Sequence, residues 1–273
     1  MPIGGEFMST SSNFIGEVPK FYDQGLGPVM FNHYATDLSR RVARHQPANV
    51  LELAAGTGIV TEALRAALPQ PTAITATDLN QPMLAIAEAK LENKNAINFK
   101  IVDAQDLPFE PATFNSMACQ FGIMFFPNKL LSFQEACRVL KPGGHYVFNV
   151  WRSWKENPFA EIAHETIAGF FSGDPPGFYK VPFGYHDANE ITSLVRQGGF
   201  SAVTSEIVKH RSPLKDIAGF SKALVYGNPI REEVLARGGN PDEVVAALER
   251  AMRKEYGSAN STPLEAIVFT AVK

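Results

Sequence analysis

Val50-Leu51-Glu52-Leu53-Ala54-Ala55-Gly56-Thr57-Gly58-Ile59-Val60 decides how the rest of this chain is read. A short, mainly apolar run over Val50–Leu53 enters a turn built from residues without bulk, and Thr61–Leu68 follows with helical spacing, so the unit is strand, turn, helix. A turn free of large side chains lets backbone N–H groups approach a ligand closely. Alone, the motif is permissive. A dinucleotide fingerprint wants glycine or alanine where Thr61 stands, and a phosphate-binding loop wants Gly-Lys-Ser/Thr, which does not follow.

Moving outward, the unit repeats. Ala73–Thr77 reads as a strand closed by Asp78; Asn80 caps a helix with Pro82 in its first turn and Met83, Ile86, Ala87 and Lys90 along one face. Ile97–Val102 is a third strand, closed by Asp103, and Phe114–Phe121 a fourth. Leu130, Phe133, Cys137 and Leu140 form the buried stripe of the next helix, which Lys141-Pro142-Gly143-Gly144 stops and turns into a fifth strand, His145–Trp151. This alternation predicts a parallel sheet covered on both faces, an α/β doubly wound fold.

After Trp151 the rhythm breaks. Asn157-Pro158 opens a helix striped by Phe159, Ile162, Ala163, Thr166, Ile167 and Phe170, and Ser172–His186 reads as a long loop rich in Gly, Pro and aromatics. Asp187 and Glu190 form a capping box for a helix ended by Gly198-Gly199. A sixth strand over Ser201–Val208, helices around Leu214–Val225 and Val244–Met252, and a last strand over Ala266–Val272 complete the pattern.

Composition narrows the function classes. The 273 residues include 25 Lys+Arg against 28 Asp+Glu, a net charge of −3 with no basic run, which argues against a nucleic-acid partner. Two cysteines, Cys119 and Cys137, without CxxC or His/Cys clusters indicate neither a disulfide framework nor a metal site, and fit a reducing cytoplasm. The most apolar stretch, Ala118–Pro127, is far short of the ~20 residues of a membrane helix. Residues 1–7 read as an added scar, with the native chain starting at Met8. Twenty Phe against two Trp imply a thick apolar core or a lined apolar cavity.

Asp78, Asp103 and Gln120-Phe121 end successive parallel strands, so with the Gly56–Gly58 turn they fall on one sheet edge, where ligands bind at the switch in strand order. An acidic residue about twenty positions past the glycines is placed to accept from two ribose hydroxyls. Asp103 can accept from an adenine amine, and Met83 can pack on the base.

Val50–Val60, Thr77-Asp78, Asp103-Ala104-Gln105-Asp106-Leu107-Pro108-Phe109 and Arg138-Val139-Leu140-Lys141-Pro142-Gly143-Gly144 together resemble the class I S-adenosylmethionine-dependent methyltransferases, in the small-molecule branch that includes quinone-biosynthesis enzymes. The resemblance covers about residues 45–151 and implies a mostly parallel, seven-stranded Rossmann-like sheet with an antiparallel ending and helical lid insertions. By the matching positions it implies cofactor-binding roles for Tyr22, Glu52, Ala54, Gly56, Thr57, Gly58, Asp78, Leu79, Met83, Asp103, Ala104, Gln120 and Phe121. Ala54 stands where a first glycine is commoner. The chain divides accordingly into an N-terminal helical cover over 8–44, a cofactor core over 45–151, a lid segment with the last core helix over 152–200, and final strands with inserted lid helices over 201–273.

The implied reaction is methyl transfer from S-adenosylmethionine, leaving S-adenosylhomocysteine, to a small apolar or aromatic acceptor by in-line displacement at the sulfonium methyl. Candidate bases are His186, Tyr185 and His33, and Trp151, Tyr185 and His186 are candidate walls of the acceptor pocket. Two alternatives share the motifs: a nicotinamide-dependent oxidoreductase, which Thr61 disfavours, and a non-catalytic protein that binds the same cofactor.

Overall fold

The strand–turn–helix units are present in a computed structural model, which describes residue 14 and residues 16–273; the expected scar and the start at Met8 lie outside these residues. In chain order the elements are α1 Val18–Phe21, a π-helical stretch Tyr22–Phe31, α2 Asn32–Ala43, β1 Asn49–Glu52, α3 Ile59–Ala67, β2 Ala73–Asp78, α4 Gln81–Leu91, β3 Ile97–Ile101 and β4 Phe114–Gln120. A 3₁₀ turn Ile123–Phe125 leads to α5 Lys129–Val139, β5 Leu140–Trp151, α6 Pro158–Ala168, α7 Lys180–Gly184, α8 Ala188–Gln197 and β6 Ala202–Pro213. Then come α9 Ile217–Tyr226, α10 Ile230–Ala236, α11 Pro241–Tyr256 and β7 Ser261–Val272.

The seven strands lie in the order β3-β2-β1-β4-β5-β7-β6. The first five pair in parallel, and β7 runs antiparallel between β5 and β6. Chain direction reverses its lateral growth between β1 and β4, which places the carboxyl ends of β1, β2 and β4 around one crevice. One face of the sheet presents Val50, Ile74, Ala118, Val147 and Val268 to Leu38 and Val42 of α2 and Val60 and Leu64 of α3. The other presents Leu51, Met117, Phe148 and Phe269 to a larger cluster that includes Phe133 of α5 and Val195 of α8. Apolar residues therefore occupy both faces, as a doubly covered parallel sheet requires.

Several sequence expectations are corrected here. The buried face of α4 is Met83, Leu84, Ala87 and Leu91; Ile86 is only half-buried and Lys90 is exposed, where it pairs with Asp23 at 2.6 Å. Phe170 points outward at the frayed end of α6 and is 42% exposed. The Ser172–His186 loop contains α7, and Lys141–Gly144 is absorbed into β5, whose first residue already pairs with Phe114. Asp187 caps α8 as expected, accepting from Asn189 N at 2.8 Å and Glu190 N at 3.1 Å. The π-helical stretch packs on α9 so tightly that a Cβ on Gly25 would fall 2.3 Å from the Cβ of Ala223.

Candidate active site

The turn after β1 is held by its neighbours. Ala55 N donates to Thr77 O at 2.9 Å, and Gly56 N donates to Asp78 Oδ2 at 2.8 Å, which ties the turn to the end of β2. Gly56 and Gly58 both have positive φ, +56° and +79°. Gly58 starts α3, where a Cβ would lie 2.8 Å from the Cβ of Ala87, so glycine is needed both for the dihedral and for the contact with α4. Ala54 also sits in the left-handed region at φ +52°, and so does Phe121, at +52°, just after β4. Such conformations cost a non-glycine residue of order 1–3 kcal/mol and persist where surrounding contacts fix them. At Phe121 the contact is Asn149, wholly buried on β5, whose Oδ1 accepts the Phe121 N–H at 3.0 Å.

Above these turns lies a cavity of about 640 Å³. Ten of the residues expected to hold the cofactor line it: Tyr22, Ala54, Gly56, Asp78, Leu79, Met83, Asp103, Ala104, Gln120 and Phe121. Three do not. Glu52 is enclosed behind the turn, with Thr61 Oγ1 donating to its Oε2 at 2.7 Å; Thr57 borders a small adjoining hollow; Gly58 is spent on the α3–α4 contact. Asp78 is 7% exposed at the cavity, its Oδ1 accepting from Asn80 N at 2.7 Å. Burial raises its carboxyl above the usual range, opposed by the N–H groups of Asn80 and Gly56.

Much of the remaining wall is aromatic. Phe14, Phe121, Phe125 and Phe126 line it together with Pro127. Behind Phe121, Trp151 stacks face to face at 3.8 Å and 5°, and Phe31 stacks on Tyr22 at 4.7 Å. Gln120 also lines the cavity: its Nε2 donates to Phe31 O at 3.3 Å, while its buried Oε1 has no partner.

The residues expected to serve as base or acceptor wall are not gathered at this cavity. Trp151 is 2% exposed and acts through Phe121, as backing. His186 borders a separate hollow with Arg152, Glu206 and Ile207. Tyr185 packs beneath Lys129 Nζ at 4.9 Å, and His33 is exposed and stacks on His210 at 3.8 Å. The reason is packing: Phe183 of α7 stacks on Trp151, His186 just past α7 lies beside Arg152 and Glu206, and His33 in the first turn of α2 stacks on His210 of β6. Conversely Gln105, Phe14, Phe125, Phe126 and Pro127 line the cavity without having been singled out as site residues. The Phe125-Phe126-Pro127 run just past a ligand-edge strand was the available signal.

A seven-stranded sheet with one antiparallel strand and this crevice at the ends of β1, β2 and β4 defines a Rossmann-like S-adenosylmethionine-dependent methyltransferase. The model of the ubiE/COQ5 methyltransferase family matches residues 29–170, and the chain belongs to that family. It is similar to the ubiquinone/menaquinone biosynthesis C-methyltransferase of Bartonella tribocorum, 28% identical over 211 residues that cover 72% of this chain and 80% of the relative. The demethylmenaquinone methyltransferase of Staphylococcus haemolyticus is 26% identical over 189 residues, 64% of this chain and 76% of the relative. Among solved structures, the YcgJ protein from Bacillus subtilis covers 88% of this chain and 98% of its own at a TM-score of 0.59 and 15% identity, a likeness of fold alone. The enzyme uses S-adenosylmethionine and methylates a small-molecule acceptor; among the described residues no helix is long and apolar enough to cross a membrane.

Proposed function

We propose that the cavity holds S-adenosylmethionine along its Asp78–Asp103 side and a hydroxylated aromatic ring, of the quinol kind, at its Phe125–Phe126 end, and that the ring is methylated at carbon. The observation carrying this reading is the division of the wall. Its carboxylates are Asp78, bound to the turn after β1, and Asp103 past β3, whereas Phe14, Phe121, Phe125, Phe126 and Pro127 supply apolar lining, and among the described residues the lining bears no His, Lys, Glu or Cys.

When bound, the cofactor supplies an electrophilic sulfonium methyl, so what remains for the protein is alignment and exclusion of water. The residues fit that cargo. Asp78 Oδ2 accepts only the Gly56 N–H and keeps a lone pair for a ribose hydroxyl, while Oδ1 accepts from Asn80 N at 2.7 Å and, more weakly, from Asn80 Nδ2 at 3.3 Å, a bond that a second hydroxyl can replace. Asp103 and Ala104 border the place for adenine, Met83 offers a polarizable face to it, and the unpartnered Gln120 Oε1 accepts a donor between cofactor and acceptor. Phe121, backed by Trp151, and Tyr22, backed by Phe31, give rigid apolar walls to the reacting region.

An apolar acceptor end favours a nucleophile that activates itself. In a ring carbon next to a hydroxyl, the oxygen donates electron density as the carbon takes the methyl, and the oxygen releases its own proton to solvent at the cavity mouth. The methylated carbon then loses its ring hydrogen as the oxygen is reprotonated, so one proton leaves overall and no base need be aimed at the attacking atom. The names of the two relatives above, one of them a C-methyltransferase, point the same way. The division into an N-terminal cover, a cofactor core over 45–151 and later lid helices belongs to this reading, as does a cytoplasmic placement, which rests on the free thiols of Cys119 and Cys137. Incubation with methyl-deuterated S-adenosylmethionine and substituted hydroquinones, followed by nuclear magnetic resonance of the product, tests it. Label on a ring carbon is expected; label on oxygen, or no transfer to any ring acceptor, contradicts it.

A further inference from the structure

Phe14 stands at the aromatic end of the cavity and is 9% exposed, although it precedes every helix and strand of the fold. Its ring meets three others from three separate segments: Tyr22 edge-on at 5.8 Å, Phe125 edge-on at 6.2 Å and Phe178 edge-on at 6.5 Å. Phe125 and Phe178 are themselves near-parallel, 5.9 Å apart at 20°. Phe125 and Phe14 border the cavity and Phe178 does not. One side chain, Phe14, therefore presses its edge on a pair of stacked rings, one of which lies beyond the cavity wall.

We infer that Phe14 is a specificity-determining residue that fixes how large a ring the acceptor site admits. This rests on the aromatic-acceptor reading above and deepens it. With the benzyl group in place, the site ends at Phe14, Phe125, Phe126 and Pro127. Without it, the Phe125–Phe178 pair gains an open side where a second fused ring can seat with the same edge-to-face geometry. The assignment concerns acceptor size; the carboxylates that face the cofactor are on other segments.

Calorimetric titration of phenol and 1-naphthol into protein saturated with S-adenosylhomocysteine tests it, using wild type, Phe14→Ala and Phe14→Leu. Phe14→Ala is expected to shift the ratio of the two affinities about tenfold toward 1-naphthol, the size of one or two good aromatic contacts, and Phe14→Leu to shift it less because leucine refills much of the space. An unchanged ratio in Phe14→Ala overturns the inference. So does equal weakening of both probes alongside S-adenosylhomocysteine, which is what a purely structural residue gives, and so does failure of wild type to bind either ring. Because the readout is binding, absence of methyl transfer in the deuterium experiment would sink the carbon-acceptor reading while leaving this ratio to be judged separately.

Discussion

Glu52 ends β1 with its carboxyl wholly enclosed, and burial pushes its pKa up to about 8, helped by the nearby negative charge of Asp78 and opposed by the Thr61 hydroxyl. In the unfolded chain the same group ionises near 4.5. Between those values the folded state keeps a proton that the unfolded state has released, so this group's contribution to stability falls as pH rises from about 4.5 to about 8. Glu52→Gln is always neutral and nearly isosteric. Its melting temperature relative to wild type should therefore be higher at pH 8 than at pH 5; an equal difference at both pH values would show that Glu52 does not titrate in this range. The residue's position was legible from the motif. Its enclosure was not, because spacing places Glu52 at the strand end without revealing that Thr61, nine residues on, folds back over it.

At the scale of elements, the turn after β1 and the end of β4 are fitted to each other. Ala54 carries a methyl where the motif more often has glycine, and the space for it exists because residue 122 is glycine: a Cβ there would lie 2.4 Å from the Cβ of Ala54 and 2.9 Å from Cys119 Sγ. Gly122→Ala should cost about 1–3 kcal/mol by overpacking, and adding Ala54→Gly should recover a substantial part, a coupling of about 0.5–3 kcal/mol in urea denaturation of the two single variants and the double variant. Strict additivity would mean that the two elements do not share this contact. The alternation of the first five strands was readable because each is short, apolar and closed by a turn residue. The β6–β7 ladder was read too short: it runs from Ala202↔Val272 to Pro213↔Ser261, and its outer half carries Lys209, His210, Arg211, Pro263 and Glu265, residues an open edge tolerates but an apolar pattern does not mark. Helix α10 escaped because Ile230 and Val234 are its only buried residues. The N-terminal part reads as helical as a block, but no local pattern marks Tyr22–Phe31 as π-helical, where Gly25 allows a close approach to α9.

In the whole molecule, the cavity forms where Phe14 and Tyr22, the turns after β1, β2 and β3, and the segment beyond β4 meet. All but Tyr22 of the ten expected residues that meet at this cavity do so because their motifs lie at or just past the ends of β1, β2, β3 and β4 and in the first turn of α4. The cavity's aromatic lining draws on Phe14, Tyr22, Phe125 and Phe126, whose meeting depends on long-range packing that no local pattern encodes. The phenylalanine excess divides the same way: Phe159, Phe183 and Phe220 are buried in the core, while Phe14, Phe121, Phe125 and Phe126 line the cavity. The claim that joins these scales is that this crevice is the S-adenosylmethionine site, with Asp78 its principal anchor. Calorimetric titration of S-adenosylhomocysteine into wild type and Asp78→Ala, with NAD as control, tests it most directly. Wild type should bind S-adenosylhomocysteine and not NAD, and Asp78→Ala should bind it ten- to a hundredfold more weakly, corresponding to about 1.5–3 kcal/mol of charge-assisted hydrogen bonding. Equal affinity in the two proteins, or binding of NAD in its place, would contradict the account.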